Sequence, residues 1–329
     1  MEAAPPPARV LRALTSDRHI RLSAMDARSL WDGVRRGHPH LCPEACALLV
    51  ELLTAAALLQ SRSLLAERLQ LVLRSSGRAR SIVADSWPDG SLRGILDTMP
   101  VPGSKLRVAR QKTSPATDQR LALPALEAGT ENGISSEVAG IAGDADISAG
   151  LWIAPPGNFQ VMRSNPGGPP YIGNLELIDG PISAQTEHYL QQSEQVQACV
   201  ALWCDPDTGD ACGLIVEPLP GCPPKRIKAM LDALDGLEVT QAWERTPEFL
   251  AEWINQGGRP EILSSLALEY RCRCSRQSLI DTLGAMPKQE LEEIFSGGPA
   301  EVCCDYCGHS YSIALQELEE GVKFDGAER

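Results

Sequence analysis

Five cysteines fall between positions 272 and 307, and four of them form two close pairs, Cys272-Arg273-Cys274 and Cys304-Asp305-Tyr306-Cys307-Gly308. Thiolates are soft ligands, and a C-x-C pair and a C-x-x-C pair one small supersecondary unit apart have the spacing of a four-thiolate zinc site. Cys272, Cys274, Cys304 and Cys307 are therefore the expected ligands of one zinc ion per chain. Cys303 competes on paper, but with Cys307 it gives the looser C-x-x-x-C. Cys304 to Gly308 reads instead as a zinc knuckle, in which glycine takes a positive φ while backbone N–H groups turn toward sulfur. His309 follows too closely to add a well-placed ligand.

The usual role of four such cysteines is structural. Three features leave room for more. All four ligands are thiols, each pair is close enough to oxidise to a small-loop disulfide, and the cluster follows a helical connector of modest apolar content. Metal binding contributes about 10–16 kcal/mol of apparent stability to zinc domains of this size. Loss of the metal by oxidation would therefore unfold such a domain.

The elements that must position the cluster can be read from the rest of the chain. With 329 residues, 43% hydrophobic and 22% charged, it has the composition of a globular protein long enough for a sizeable core. The formal net charge of -13 has the wrong sign for sequence-independent binding to phosphates. Eleven cysteines, an odd number, without a visible secretion signal argue for metal or redox chemistry in a reducing compartment rather than a disulfide framework. A cytoplasmic location without membrane contact is expected. The most apolar run, Ala45 to Leu59, carries Glu51 and Thr54 and reads as too short to span a bilayer.

Val10 to Leu14 and Ile20 to Leu22 alternate as strands, and Ala24 to Val34 has helical spacing. Pro43 opens a Leu/Ala-rich core helix running to about Ser63, a position where proline costs little. Leu69 to Leu73, Ser81 to Ala84 and Ser91 to Ile95, joined by Gly-bearing turns, predict an antiparallel sheet. Residues 103–150 lack aromatics and sustained periodicity and read as a long polar insertion. Order returns near Trp152. A hairpin is predicted around Asn165 to Gly168, a strand at Tyr171 to Leu177, a helix at Ile182 to Ser193, and a hairpin from Ala198 to Trp203 and Cys212 to Glu217. Ile227 to Leu234, Pro247 to Gln256 and Glu261 to Leu266 are expected as short amphipathic helical pieces that need not dock tightly. Two turns of helix, at Leu279 to Leu283 and Pro287 to Phe295, lie between the cysteine pairs.

The expected architecture is α+β: a mixed core with an antiparallel sheet over 1–222, a helical linker over 223–270, and a small zinc-binding domain over 271–320. His38, His40, Cys42 and Cys46 resemble a metal cluster by composition, but their spacing fits a loop entering the helix at Pro43. Cys199, Cys204 and Cys212 read as small buried apolar residues, and His188 as structural. No phosphate-binding loop, dinucleotide fingerprint, nucleophile elbow or H-E-x-x-H motif occurs. An enzyme, in particular an ATP-driven one, is not expected.

With these residues in view, the chain resembles the heat-shock protein 33 family of redox-regulated bacterial chaperones. Its C-x-C…C-x-x-C signature is matched by Cys272, Cys274, Cys304 and Cys307, with Tyr311 following. Arg93-Gly94, Tyr171-Ile172-Gly173 with Leu177, and Glu187-His188-Tyr189 leading to Ser193-Glu194-Gln195 are similar to landmarks in the same order. The resemblance implies a zinc-bound, reduced and inactive form. Peroxide or hypochlorous acid would join Cys272 to Cys274 and Cys304 to Cys307, expel zinc and unfold the linker. The chain would then form a homodimer that holds unfolding client proteins without ATP. The sequence departs from the family pattern in the long insertion, in Ser75-Ser76-Gly77 where a more Gly-rich turn is expected, in the larger number of cysteines outside the cluster, and in Cys303, which could divert the pairing. Two other readings are an interaction module with structural zinc, binding nucleic acid through Arg271, Arg273 and Arg276, and a thiol–disulfide oxidoreductase. The acidic balance weighs against the first. No strand-then-helix context for C-x-x-C supports the second.

Overall fold

The computed structural model describes residues 7–63, 67–98, 152–164, 168–239, 246–256 and 259–318. In chain order, the first half contains β1 (Arg9–Leu14), β2 (Ile20–Asp26), α1 (Arg28–Gly37), α2 (Pro43–Arg62), β3 (Arg68–Arg74), β4 (Ala79–Ser86) and β5 (Ser91–Thr98). Then come β6 (Asn158–Ser164), β7 (Tyr171–Glu176), α3 (Ile182–Ser193), β8 (Cys199–Cys204) and β9 (Ala211–Pro218). The last third holds α4 (Pro224–Asp235), α5 (Pro247–Asn255), β10 (Glu261–Ala267), β11 (Glu269–Tyr270), α6 (Arg276–Gly284), α7 (Lys288–Phe295), β12 (Ala300–Cys303) and β13 (Ser310–Ile313). The predicted insertion at 103–150 and the turn residues Asn165 to Gly167 lie outside the described residues.

Two large sheets enclose α2. One has the order β10-β1-β2-β9-β8, the other β11-β5-β4-β3-β6-β7, and every pairing is antiparallel except the short β11–β5 contact. The helix α2 packs on strands of both sheets, and fifteen of its twenty residues are buried. A helix apolar on all sides is stable in water only when both flanks are covered. Its twenty-residue length suffices to cross a bilayer, contrary to the expectation from Ala45 to Leu59, but here it is enclosed by the protein's own sheets. The first sheet carries a second apolar cluster on its outer face. There Leu11, Ile20, Leu22 and Leu214 meet Met230, Leu234, Leu237, Leu250 and Ile254 from α4, α5 and the turn between them.

Three sequence expectations are corrected. Helical spacing over Ala24 to Val34 divides into strand and helix, because Ala24 to Asp26 continue the ladder with β9. The Asp26 carboxylate then accepts from the Arg28 N–H at 3.1 Å where α1 begins. Glu261 to Leu266 is an edge strand, not a helix. Its apolar residues satisfy a helical spacing by composition, but the free edge of β1 supplies a backbone ladder that no local pattern reveals. The linker also docks closely. Arg226 pairs with Asp17 at 2.7 Å and Asn255 Oδ1 accepts from the Ser16 N–H at 2.7 Å, both to the β1–β2 turn. Thr246 caps α5, with Pro247 at its first turn, so this segment presents Leu250 and Ile254 to the sheet on a well-started helix.

From β10 the chain crosses to the other sheet through three backbone bonds: Leu268 N–H to Ala8 O (2.7 Å), Glu269 N–H to Gly90 O (2.9 Å) and Arg271 N–H to Leu92 O (2.8 Å). Gly90, with φ of 83°, is required here, since a Cβ would lie 2.1 Å from the Ala267 carbonyl. This stitch delivers Cys272 to the edge of β5.

Candidate metal centre

Beyond the stitch, Ser275 caps α6 by accepting from the Ser278 N–H at 3.1 Å. The helices α6 and α7 then lie over the β12–β13 hairpin. Their core is small: Leu283, Ile313 and Leu318 are buried, with Leu279, Ile280, Leu291, Phe295 and Val302 packed partly around them. Arg276 fastens the far end by pairing with Glu317 at 2.8 Å. The knuckle occupies the tip of the hairpin. There the Cys304 N–H donates to His309 O (2.9 Å) and the Gly308 N–H to Cys304 O (2.8 Å). Gly308 has φ of 70°, as expected for the glycine of a knuckle.

The structure brings the four predicted sulfurs together. The Sγ atoms of Cys272, Cys274, Cys304 and Cys307 all lie within 4.8 Å of one another. Cys272 and Cys304 are 3.6 Å apart, and Cys274 and Cys307 3.5 Å. A tetrahedral ion bound at about 2.3 Å to each sulfur separates them by roughly 3.8 Å, so the spacing fits a four-thiolate ion. The Cys274 N–H also points at Cys272 Sγ, at 3.4 Å. Cys303 is not among the four. It is exposed, and its thiol donates to Gly308 O at 3.4 Å.

The electrostatics of the sulfurs fit a cation among them. Burial pushes Cys307 up to about 11 and Cys304 further up. At Cys272 burial also opposes ionisation, but hydrogen bonds from the Cys274 backbone and from the neighbouring thiols outweigh it and hold the group below the usual thiol range. Sulfurs this close cannot all become thiolates unless a divalent cation neutralises them.

The centre is held against the body by residues that flank the cysteines. Tyr270 lies across α1, and its hydroxyl sits 2.9 Å from His38 Nε2 and within hydrogen-bond reach of the Gly94 and Tyr306 carbonyl oxygens, each at 3.2 Å. Arg273, between the first two cysteines, stacks over Trp87 at 4.6 Å, pairs with Asp89 and donates to Ser91 Oγ at 3.1 Å. Tyr306, between the second two, lies under the Arg93 guanidinium at 4.0 Å. Sequence reasoning missed His38, Trp87, Arg93 and Tyr270 as neighbours of the centre. Of these only Tyr270, an aromatic residue two positions before Cys272, carried a local signal.

The competing candidates are placed elsewhere. His38 is buried in this dock, Cys46 in the main core, and Cys42 is exposed. Cys204 and Cys212 are buried in the β8–β9 hairpin and Cys199 is half-buried. Each of the three basic residues considered for nucleic acid already faces an acid: Arg271 and Arg273 share Asp89, and Arg276 holds Glu317.

Gly33 on α1 sets how closely Tyr270 approaches, because a Cβ there would come within 2.5 Å of the Tyr270 Cβ. Overpacking of this kind costs about 1–3 kcal/mol. Gly33→Val is therefore expected to accelerate amide exchange over residues 268–271 by about tenfold, read by hydrogen-exchange mass spectrometry. Unchanged exchange there would show that the Tyr270 contact does not hold the dock.

An α+β body of two sheets around one helix, with four cysteines that could hold a metal ion clasped to a sheet edge, defines a fold with a candidate metal centre in contact with its body. The family model described as Hsp33 protein matches residues 8–314. The chain belongs to the Hsp33 family, a chaperone family. A 33 kDa chaperonin of Clostridium botulinum is 26% identical over 322 residues, covering 94% of this chain and 95% of that protein. One from Limosilactobacillus fermentum is 31% identical over 172 residues, half of this chain and 59% of that protein, so this second match spans less than two thirds of the relative's length. The crystal structure of a 33 kDa chaperonin, a heat shock protein 33 homolog, from Thermotoga maritima shares the fold. Its TM-score is 0.70 at 20% identity, with 98% of this chain and all of that one covered.

Proposed function

We propose that this chain is a redox-regulated, ATP-independent chaperone of the cytoplasm, with Cys272, Cys274, Cys304 and Cys307 as ligands of one zinc ion in the reduced state. The observation that carries the reading is the gathering of four thiols within 4.8 Å of one another at a clasp between mini-domain and body. Bound zinc supplies the positive charge that lets four thiolates share one small volume. On oxidation Cys272 pairs with Cys274 and Cys304 with Cys307. Each pair of thiolates gives two electrons to one peroxide, which takes two protons and becomes two waters.

The intervening residues make that step mechanical. Closing a disulfide around Arg273 changes the backbone that seats it on Trp87 and Asp89, and closing one around Tyr306 does the same for its contact with Arg93. With the metal gone and both arms withdrawn, the mini-domain and the stitch at Leu268 lose their support. The linker segment 223–270 follows, through local unfolding coupled to the loss of its neighbour. The apolar faces of α4, α5 and the first sheet then become available to unfolding clients, and the oxidised chain forms a homodimer.

The test combines zinc per chain, thiol titration and disulfide mapping under peroxide with suppression of aggregation of an unfolding client. Zinc release, loss of four thiols and gain of suppression are expected together. Equal suppression by the reduced, zinc-loaded chain would sink the proposal.

A further inference from the structure

The Tyr270 hydroxyl meets three partners but carries one proton. His38 Nε2 lies 2.9 Å from it, and the Gly94 and Tyr306 carbonyl oxygens each lie at 3.2 Å. His38 Nε2 is also 3.0 Å from the Gly94 oxygen. On the edge of β5, Leu92 O accepts from the Arg271 N–H, and Gly94 O is the next carbonyl on that side. The strand β11 covers only Ser91 and Leu92, so the His38 ring stands where a further strand residue would donate. Both carbonyls can only accept. His38 is 1% exposed, so water does not replace a missing donor at its ring. Burial holds the imidazole below its usual range, in the neutral form with a single N–H. One arrangement gives both carbonyls a donor: Nε2–H serves Gly94, and the tyrosine proton is left for Tyr306. The other tautomer sets the Nε2 lone pair against the Gly94 oxygen and leaves at least one carbonyl bare.

We propose that His38 and Tyr270 are positioning residues of the metal centre. His38 occupies the Gly94 carbonyl and so directs the one tyrosine proton to the Tyr306 carbonyl, inside the second cysteine pair. That carbonyl belongs to the same peptide unit as the Cys307 N–H. The unit is planar, so holding its oxygen also fixes its N–H, which points at Cys304 O at 3.3 Å. Tyr270 itself stands two residues before Cys272. One hydrogen bond therefore ties the approach to the first pair to the turn of the second, by a contact that does not use the sulfurs. The four sulfurs then meet an ion already near their bound spacing, and the ordering cost of binding falls. Because His38 belongs to the body, the affinity of the centre depends on its being docked there.

This rests on the zinc reading above. The test titrates the full-length reduced chain with cobalt(II), a coloured stand-in for zinc, and follows the absorption bands of tetrahedral thiolate coordination. Tyr270→Phe keeps the ring in its slot beside Gly33 and Gly37 and deletes the hydroxyl. Loss of one net hydrogen bond changes an equilibrium constant roughly three- to tenfold, and cobalt affinity is expected to weaken by that factor. In His38→Phe the bare Gly94 carbonyl takes the tyrosine proton, and a loss of the same size is expected. Once either side chain is changed the other has nothing left to direct, so the double variant should stay within about twofold of the single ones. His38→Gln, which presents an amide N–H in place of Nε2–H, should bind cobalt more tightly than His38→Phe. Native affinity in Tyr270→Phe overturns the inference. So do losses that multiply in the double variant, which would make the two side chains independent packing elements, and so does a His38→Gln affinity no better than that of His38→Phe. If His38→Phe does not fold, Tyr270→Phe decides alone. A native chain without the thiolate bands removes the metal reading and this inference with it, whereas native-strength binding by Tyr270→Phe removes this inference only.

Discussion

Stripping the metal from the reduced chain is expected to unfold residues 272–313 and leave both large sheets standing. Among the described residues the mini-domain buries only Ala300 and the larger Leu283, Ile313 and Leu318, and the larger side chains contribute about 1.5–3 kcal/mol each. Ordering backbone costs about 1–2 kcal/mol per residue, so this core cannot hold the segment by itself. A structural zinc contributes about 10–16 kcal/mol of apparent binding and closes the gap. Hydrogen exchange with and without a strong chelator would read the change in α6, α7 and the β12–β13 hairpin. Trp87 gives a second signal, because the mini-domain lacks tryptophan of its own and Arg273 stacks on that ring. Cys304→Ser should reproduce the effect without chelator. Unchanged protection in α6 and α7 after chelation would show that the metal does not support this segment.

Leu53→Ala is expected to destabilise the body by about 2–5 kcal/mol without changing zinc per chain. Leu53 is fully buried in α2, the helix enclosed by both sheets, and little of the surrounding backbone can move to fill the space it would leave. By contrast, Ile262→Ala on the edge strand β10 should stay within about 0.5 kcal/mol, because its side chain is 49% exposed and the strand is held by its backbone ladder. Urea unfolding followed by circular dichroism compares the two. A Leu53→Ala effect no larger than that of Ile262→Ala would contradict the enclosed-helix account. Zinc stoichiometry measured on the same samples separates loss of the body from loss of the centre.

Local chemistry alone marked the cysteine cluster, the knuckle glycine at position 308 and the core helix after Pro43. Ligand spacing, positive φ and all-round apolarity are properties of a few adjacent residues, legible before any fold is known. The same holds for the hairpins whose alternation is uninterrupted. What the tertiary structure decided is long-range. The segment Glu261 to Ala267 became a strand because β1, some 250 residues away, offers it a free edge. The linker docked because its short apolar faces met a sheet surface already built by Leu11, Ile20 and Leu22. Arg93, Asp85, Trp87 and His38 all precede Cys272 by more than half of the 329-residue chain, and no spacing rule links them to the cysteines. The sequence by itself determined that this protein gathers four sulfurs. Only the fold determined that these sulfurs are clasped to the body by the residues beside and between them, because that contact is made by a sheet edge assembled from distant strands.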